Sequence, residues 1–210
     1  MKDTILVTGG TGYIGSHTII ELLESTDLNI VSIDNFSNSS ADALERIKKI
    51  TGKTVKNYQV DLCDAAETEK IFKAEQNIKG IIHFAAFKSV PESVENPYKY
   101  YHNNINSLLN LLNFSVKYNV NNFIFSSSCS VYGNINQLPV KETTPIGKAE
   151  SPYAYTKQVG EEILKDYSTA YSKLKIIALR YFNPVGAHIS GLIGESPINK
   201  PANLLPIITQ

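Results

Sequence analysis

Residues 4–17 read TILVTGGTGYIGSH, in which a short apolar run is followed by a glycine-rich turn and then by a helical pattern. Gly9 allows a sharp turn after the strand, Gly12 lets a pyrophosphate approach the backbone, and Gly15 lets the new helix pack closely. The first amides of that helix have no partner within it and can bind phosphate groups. The stretch therefore predicts the phosphate-binding turn of a dinucleotide site.

An acidic residue follows the second apolar run, where a dinucleotide site needs one. The run Asn29–Ile33 is followed by Asp34, roughly 20 residues past the turn, which is the spacing of an acid that binds a ribose. The alternative is an ordinary strand–turn–helix unit in which the acid caps a helix. The combination of turn, strand and acid favours the dinucleotide site.

The composition predicts a globular domain. The chain has 210 residues, 42% of them hydrophobic, and its 20 basic and 20 acidic residues give a formal net charge of zero. Because no basic face is apparent, a nucleic acid is not expected as a partner. No apolar run is long enough for a membrane span, and the N-terminus lacks a signal-peptide pattern. Cys63 and Cys129 lie far apart and the histidines are scattered, so we expect a reduced, cytoplasmic compartment and no metal site.

Apolar runs alternate with helical patterns along the chain. The strand patterns cover residues 4–8, 29–33, 55–60, 80–84, 122–125 and 175–180. The helical patterns cover residues 13–24, 41–51, 65–75, 97–118 and 153–171. Repeated βα units predict an α/β fold with a Rossmann-like, doubly wound parallel sheet and helices on both faces. Because crossovers are right-handed, the strand ends that carry ligands gather along one edge.

Polar and small residues follow several of these strands. Asp34 and Asn35 follow the second strand, Asp61 and Leu62 follow the third, and HFAAFK at 83–88 spans the end of the fourth. Small residues in the last segment would let a flat nucleotide lie against the backbone. Strand ends in register with the glycine turn favour one shared ligand crevice over unrelated loops.

The second half of the chain carries residues suited to proton transfer. Ser128 follows the fifth strand, and Tyr153 and Lys157 are four residues apart, on one face of a helix that Ser151 and Pro152 would begin. An ammonium beside a phenol favours the phenolate, and a positive cofactor ring would act in the same direction. A base that works near pH 7 needs roughly 4 kcal/mol from such charges, because a free phenol has a pKa of about 10. The alternative, a solvated helix face, is disfavoured by the glycine turn and the serine-bearing strand end.

These residues resemble the extended short-chain dehydrogenase/reductase family. The family's pattern is matched by the turn GGTGYIG at 9–15 together with Ser128, Tyr153 and Lys157. Within that family, the resemblance is to the UDP-hexose 4-epimerases and covers essentially the whole chain. The motifs that carry it are GGTGYIGSH, IDNF, FAAFKSV, FSSSCSVYG, SPYAYTK and RYFNPVGAH.

The resemblance implies a tightly held NAD and a UDP-sugar substrate, UDP-glucose or UDP-galactose. The residues it places around NAD are Gly9, Gly12, Tyr13, Ile14, Gly15, Asp34, Asn35, Phe36, Ser37, Asn38, Ser39, Asp61, Leu62, Phe84, Ala85, Ala86, Phe87, Lys88, Asn103, Ser128, Tyr153, Lys157 and Phe182. The residues it places around the UDP-sugar are Lys88, Ser128, Tyr153, Asn183, Asn203 and Leu204. Ser128, Tyr153 and Lys157 are the implied catalytic residues.

The implied reaction is an epimerisation without net redox change. The Tyr153 phenolate takes the proton of the sugar 4-hydroxyl while hydride passes from C4 to NAD. The 4-keto sugar then turns over in the site, and hydride and proton return to it.

Three other functions are weighed against this one. Dehydratases of the family need an acid–base pair where this chain has Cys129 and Ser130, so dehydration is disfavoured. UDP-glucuronate epimerases and decarboxylases remain open. A non-catalytic NAD-binding module also remains open, although a pure binder has no need of an activated phenol.

The resemblance also implies a domain division and an assembly. Residues 1–182 would form the NAD-binding domain and residues 183–210 the start of a substrate-binding region, with most of a smaller C-terminal domain absent. We therefore expect NAD binding but poor epimerisation from this chain. In relatives, long helices such as 97–118 and 153–171 pair across a homodimer. The apolar stripes of these helices could equally face the sheet. The stripe of the first helix is Leu108, Leu111 and Leu112, and that of the second is Val159, Ile163 and Tyr167.

Overall fold

The computed structural model describes residues 2–135, 138–196 and 207–208. Six parallel strands form one sheet in the order β3-β2-β1-β4-β5-β6. The strands are β1 (Thr4–Thr8), β2 (Asn29–Ile33), β3 (Lys56–Tyr58), β4 (Ile78–His83), β5 (Asn122–Ser128) and β6 (Lys175–Tyr181). The helices are α1 (Tyr13–Ser25), α2 (Asp42–Thr51), α3 (Ala65–Ala74), α4 (Val90–Glu95), α5 (Pro97–Lys117) and α6 (Pro152–Ala170), with a 3-10 turn at Cys129–Tyr132.

The strand order reverses beside β1. Thr8, the last residue of β1, is level with Ile33 of β2 on one side and with His83 of β4 on the other. The chain runs outward from β1 through β2 to β3 and then crosses back to β4. Open α/β sheets bind ligands in the crevice outside the carboxyl ends of strands at such a reversal. The predicted Rossmann-like sheet is confirmed, and its glycine turn lies at this crevice.

Helices cover both faces of the sheet because successive strand residues point to opposite sides. Leu6 of β1 belongs to a core that also holds Leu108 of α5 and Leu164 of α6. The next residue, Val7, belongs to a second core with Ile19 of α1 and Ile47 of α2. Burying each such side chain contributes roughly 1.5–3 kcal/mol. The two cores hold the strand ends in fixed positions relative to one another.

Side-chain caps begin several helices. Ser151 accepts a hydrogen bond from the Ala154 amide at 3.1 Å, and Pro152 follows it as the first residue of α6. This is the helix start that Ser151 and Pro152 predicted. The cap fixes the first turn of α6, which carries Tyr153. Within the described part of the chain, the helices are too short or too polar for any of them to cross a bilayer.

Several element boundaries differ from the predicted ones. β3 is limited to Lys56–Tyr58 rather than 55–60, because it is an edge strand that pairs only with Val31–Ile33 of β2. β5 runs on to Ser128 because it pairs with β6 as far as Tyr181. The short helix α4 was not predicted, although Ser89 caps it by accepting from the Glu92 amide.

Candidate active site

The glycine turn between β1 and α1 has the geometry that a phosphate needs. Gly9 has φ +67°, and a Cβ on it would lie 2.8 Å from the Ala85 amide nitrogen. A Cβ on Gly15 would lie 2.1 Å from the Gly9 carbonyl oxygen. A Cβ on Gly12 would meet only that same oxygen, at 3.3 Å, so its outer side is open. Gly12 also caps α1 without a side-chain hydrogen bond, which leaves the opening amides of the helix to a ligand.

Asp34 ties the glycine turn to the loop that follows β2. Its carboxylate accepts hydrogen bonds from the Thr11 amide at 3.1 Å, the Phe36 amide at 2.9 Å and the Ser39 hydroxyl at 2.8 Å. The nearest following helix, α2, begins at Asp42 and is capped by Ala41. Asp34 is therefore not a helix cap, and its carboxylate joins the glycine turn to the loop after β2; its role as the ribose-binding acid stays a prediction.

The neighbouring loop residues follow β2 and β3 at the same edge of the sheet. Asn35 accepts a hydrogen bond from the Ser37 amide at 3.0 Å, and Asn38 is exposed. Asp61 accepts from the Cys63 amide at 2.9 Å, whereas Leu62 is buried. The Leu62 side chain thus packs into the core, whereas Asp61 is exposed beside it.

The segment 84–88 is held close to β1 and α5. The Phe84 amide donates to the Thr8 carbonyl oxygen at 3.0 Å, which continues the β1–β4 pairing past His83. The Phe87 amide donates to the side chain of Asn104 at 2.9 Å, and the Asn104 amide group donates back to the Phe87 oxygen at 3.0 Å. The sequence analysis singled out Asn103 and overlooked Asn104. A polar residue on the buried stripe of α5 is the signal that would have found it.

The Ser128 side chain, at the end of β5, influences the ionisation of Tyr153. A hydrogen bond from Ser128 acts to lower the pKa of the Tyr153 phenol. Ser128 Oγ already accepts from the Ser130 amide at 3.2 Å and the Ser130 hydroxyl at 3.0 Å. Because Oγ accepts these two bonds, its own proton is available for the Tyr153 oxygen or for a substrate oxygen. Ser130 is a second residue that the sequence analysis did not place in this role.

Lys157 lies near Tyr153 but is bonded elsewhere. Its Nζ is 5.9 Å from the centre of the Tyr153 ring and donates to the Ser126 carbonyl oxygen at 2.7 Å. The side chain is buried, with 5% exposure for the residue, and burial lowers the pKa of Lys157 to about 8. Burial and the Lys157 charge together lower the pKa of His83 to about 3, so His83 is neutral.

The expectation that the lysine lowers the pKa of the phenol needs correction. Burial raises the pKa of Tyr153, and this effect outweighs the hydrogen bond from Ser128. Burial has this effect because the charged phenolate loses more favourable hydration inside the protein than the neutral phenol does. The position of Lys157 is therefore not enough by itself to bring the pKa of the Tyr153 phenol below its ordinary value. The neighbouring Tyr155 is half exposed and lies edge-on to Tyr101, so it does not compete for the role of Tyr153.

The residues after β6 approach the glycine turn from the other side. The Tyr13 hydroxyl donates to the Gly186 carbonyl oxygen at 2.7 Å. Phe182 and Asn183 are both exposed at the carboxyl end of β6. Lys88 forms an ion pair with Glu195 at 3.5 Å. Asn203 and Leu204 lie outside the described residues.

A network that the sequence analysis missed supports the ends of β5 and β6. Glu161 of α6 accepts from the Ser127 hydroxyl at 2.5 Å and from two nitrogens of Arg180 at 2.9 and 2.7 Å. Arg180 also donates to the Tyr132 hydroxyl at 2.9 Å. Ser127 and Arg180 directly precede Ser128 and Tyr181, so the network fixes the strand ends that carry site residues. Within the described ranges, no three His, Cys, Asp or Glu side chains are grouped to hold a metal ion.

Known proteins are similar to this chain in sequence and in fold. The profile of the NAD dependent epimerase/dehydratase family matches residues 5–207. UDP-glucose 4-epimerase of Pasteurella multocida (strain Pm70) is 52% identical over 206 residues, 98% of this chain and 60% of that protein. UDP-glucose 4-epimerase of Bacillus subtilis (strain 168) is 50% identical over 206 residues, with the same coverage of 98% and 60%. The chain thus spans about 60% of the length of these curated relatives.

Solved structures of UDP-glucose 4-epimerases are also similar to this chain. UDP-glucose 4-epimerase from Bifidobacterium longum in complex with NAD+ and UDP has a TM-score of 0.94 at 50% identity, covering 98% of this chain and 61% of that one. UDP-glucose 4-epimerase from Stenotrophomonas maltophila with bound NAD and formylated UDP-arabinopyranose has a TM-score of 0.94 at 43% identity, covering 99% and 61%. The predicted resemblance to UDP-hexose 4-epimerases is confirmed. Since the family profile matches nearly its whole length, the chain belongs to the NAD dependent epimerase/dehydratase family.

Proposed function

We propose that this chain is the cofactor-binding and catalytic portion of a UDP-glucose 4-epimerase, which interconverts UDP-galactose and UDP-glucose through a transient 4-keto sugar. The observation that carries the proposal is the position of Tyr153, whose ring centre is 5.9 Å from the buried Lys157 Nζ, at the same edge of the sheet as the glycine turn and the end of β5 that carries Ser128. Relatives of about 50% identity that bear this name support it. Residues 1–182 are the NAD-binding domain and residues 183–210 begin the substrate-binding region.

The glycine turn fits the pyrophosphate of NAD. The open side of Gly12 and the uncapped start of α1 offer backbone amides without a side chain in the way. Asp34 would hold the adenosine ribose, and Asp61 and Leu62 would flank the adenine. Segment 84–88, Asn103 and Phe182 would line the rest of the cofactor. When bound, NAD supplies the hydride acceptor and donor of the reaction.

The chain's own residues move the proton and hold the charges. The Tyr153 oxygen takes the proton of the sugar 4-hydroxyl and later returns it to the same 4-oxygen, when the hydride is delivered to the opposite face of C4. The Ser128 hydroxyl donates a hydrogen bond to the sugar oxygen or to the phenol oxygen. Its proton is available for this because both bonds with Ser130 are accepted by Ser128 Oγ. Lys157 keeps a positive charge beside the phenol, and Lys88 and Asn183 would contact the UDP-sugar. Neutral His83 adds no charge of its own to the site.

Two proteins test the proposal. The first is this chain; the second is this chain fused to the portion of the Bacillus subtilis relative that lies beyond the match. NAD binding is measured by calorimetry, and conversion of UDP-galactose to UDP-glucose by chromatography. We expect both proteins to bind NAD, the fused protein to convert UDP-galactose, and the chain alone to convert it slowly or not at all.

Variants of two tyrosines give a matched control. Tyr153→Phe is expected to keep NAD and lose turnover, whereas Tyr155→Phe, which changes an exposed side chain two residues away, is expected to keep both. NAD binding without turnover in the fused protein would mean a binding module. Preferential conversion of UDP-glucuronate would assign the chain to the glucuronate epimerases, and full turnover by Tyr153→Phe would overturn the mechanism.

We also infer a homodimer through α5 and α6, in a cytoplasmic enzyme that binds neither nucleic acid nor membrane. The stripe Leu108, Leu111 and Leu112 faces the sheet, with exposures of 0–1%, so it is not the interface. The candidate surface is instead aromatic: Tyr98 is 75% exposed, Tyr155 50% and Tyr101 39%. Light scattering is expected to give a dimer for the chain and a monomer for Tyr98→Ser/Tyr101→Ser. A wild-type monomer would contradict the inference.

A further inference from the structure

The buried side chain of Asn104 lies on α5, between the segment 84–88 and helix α6. The residue is 6% exposed. Its Oδ1 accepts from the Phe87 amide at 2.9 Å and from the Asn103 side chain at 2.9 Å. Its Nδ2 donates to the Phe87 carbonyl oxygen at 3.0 Å and to the Thr156 hydroxyl at 3.2 Å. Two acceptances and two donations use the full capacity of an asparagine side chain.

The contact with Thr156 continues to the residue that we assign as the base. Thr156 is 2% exposed, and its hydroxyl donates to the Tyr153 carbonyl oxygen at 2.7 Å. A continuous series of hydrogen bonds therefore runs from the backbone of Phe87, through Asn104 and Thr156, to the backbone of Tyr153. Phe87 lies in the segment 84–88, and Thr156 and Tyr153 lie in the first turns of α6. The series therefore joins these two segments.

The segment 84–88 is also held at its outer end. The Phe87 ring lies 5.8 Å from the Tyr100 ring, centre to centre, and 4.1 Å from Lys99 Nζ. The Ser89 amide donates to the Tyr100 hydroxyl at 3.1 Å. Side chains from one face of α5 thus fix both the middle and the end of the segment. Among these contacts, only Asn104 also reaches α6, so it joins the two walls of the crevice by side-chain hydrogen bonds.

We propose that Asn104 is a positioning residue that couples the cofactor-lining segment 84–88 to the helix carrying Tyr153 and Lys157. The assignment of the segment to NAD rests on the proposed function. Asn104 does not touch the reacting atoms; it acts by fixing the position of the phenol relative to a dinucleotide that lies along the segment. A small displacement of such groups is costly because hydride and proton transfer depend on close alignment.

The test uses four variants of the chain. Asn104→Asp keeps the shape but turns both donor sites into acceptors, which face the Phe87 oxygen and the Thr156 hydroxyl. Thr156→Val removes the hydroxyl link with little change of shape, and Thr156→Ser keeps it. Ser115→Ala is the control, because Ser115 is equally buried on α5 but donates only to Leu111 of the same helix.

NAD affinity and amide hydrogen exchange are measured for each variant. We expect NAD to bind about tenfold or more weakly to Asn104→Asp and less weakly to Thr156→Val, with Thr156→Ser and Ser115→Ala within about twofold of wild type. Exchange should speed up together at residues 85–89 and 153–157 in Asn104→Asp. Exchange should also speed up at both 85–89 and 153–157 in Thr156→Val, because the Asn104–Thr156 hydrogen bond connects them.

The outcomes separate the coupling from a merely structural role. If Asn104→Asp and Thr156→Val lower the melting temperature but bind NAD as wild type does, the proposal is overturned. If Asn104→Asp does not fold, the difference between Thr156→Val and Thr156→Ser decides. If wild type itself does not bind NAD, the proposed function fails, and amide hydrogen exchange alone decides whether Asn104 couples the two segments. Faster exchange of Asn104→Asp at both 85–89 and 153–157 supports the coupling. Faster exchange at only one of them overturns it.

Discussion

Lys157 Nζ lies 5.9 Å from the centre of the Tyr153 ring, yet its hydrogen bond goes to the Ser126 carbonyl oxygen at 2.7 Å. The ammonium therefore acts on the phenol through space and not through a bond. Burial raises the pKa of Tyr153 in the protein without its cofactor. The chemistry proposed here requires that binding of NAD, whose oxidised ring is cationic, reverses this direction.

Removal of the Lys157 charge should slow the reaction. In the fused protein, Lys157→Met is expected to lower kcat at least about tenfold, because one pKa unit at the phenol changes the phenolate fraction by that factor. Lys165→Met is the control, since Lys165 lies on the same helix with a side chain 74% exposed. Equal rates for the two variants would show that the charge of Lys157 is irrelevant.

The same lysine should give stability a distinctive pH dependence. Its pKa is about 8 in the folded protein and 10.5 ordinarily, so between these values the unfolded chain binds more protons than the folded one. The contribution of Lys157 to stability therefore rises with pH through this window. Urea unfolding is measured for wild type and Lys157→Met from about pH 7 to about pH 10. As the pH rises, wild type should gain unfolding free energy relative to Lys157→Met. A constant difference would contradict the shifted pKa.

Replacement by alanine should lower stability at Gly15 and NAD binding at Gly12. A Cβ at position 15 would lie 2.1 Å from the Gly9 carbonyl oxygen, so Gly15→Ala should lower stability by roughly 1–3 kcal/mol. A Cβ at position 12 meets its nearest atom at 3.3 Å, so Gly12→Ala should fold well but lose NAD, because the methyl group occupies the phosphate side of the turn. Thermal melts and NAD titrations distinguish the two. Normal NAD binding by Gly12→Ala would exclude this turn as the phosphate site.

The Glu161–Arg180 pair should show strong coupling. Its side chains are only 10% and 20% exposed, and the Glu161 carboxylate also holds Ser127. Removing one partner leaves the other as a largely buried charge without its counter-ion. Glu161→Gln or Arg180→Met alone should therefore lower the unfolding free energy by about 2–4 kcal/mol. The double variant should cost less than the sum of the two. Additive losses in a double-mutant cycle would mean that the pair contributes nothing as a unit.

Local patterns predicted most of the architecture, and tertiary contacts decided the rest. The glycine turn and the start of α6 at Ser151 depend on neighbouring residues, so both could be predicted from short stretches. The length of β3 depends on how much of β2 faces it, which no local pattern records. Asn104 binds partners 17 to 52 residues away along the chain, and Arg180 binds partners 19 and 48 residues away. The pKa of Tyr153 was misjudged because burial is a property of the fold.

The central claim is that a bound nicotinamide cation turns the buried Tyr153 phenol into a base. The most direct measurement is the ultraviolet titration of tyrosinate in the chain, with and without NAD+, using Tyr153→Phe as the reference for all other tyrosines. The account predicts that NAD+ moves the titration of Tyr153 from above its ordinary pKa toward neutral pH. A titration that stays alkaline when NAD+ is bound would contradict it.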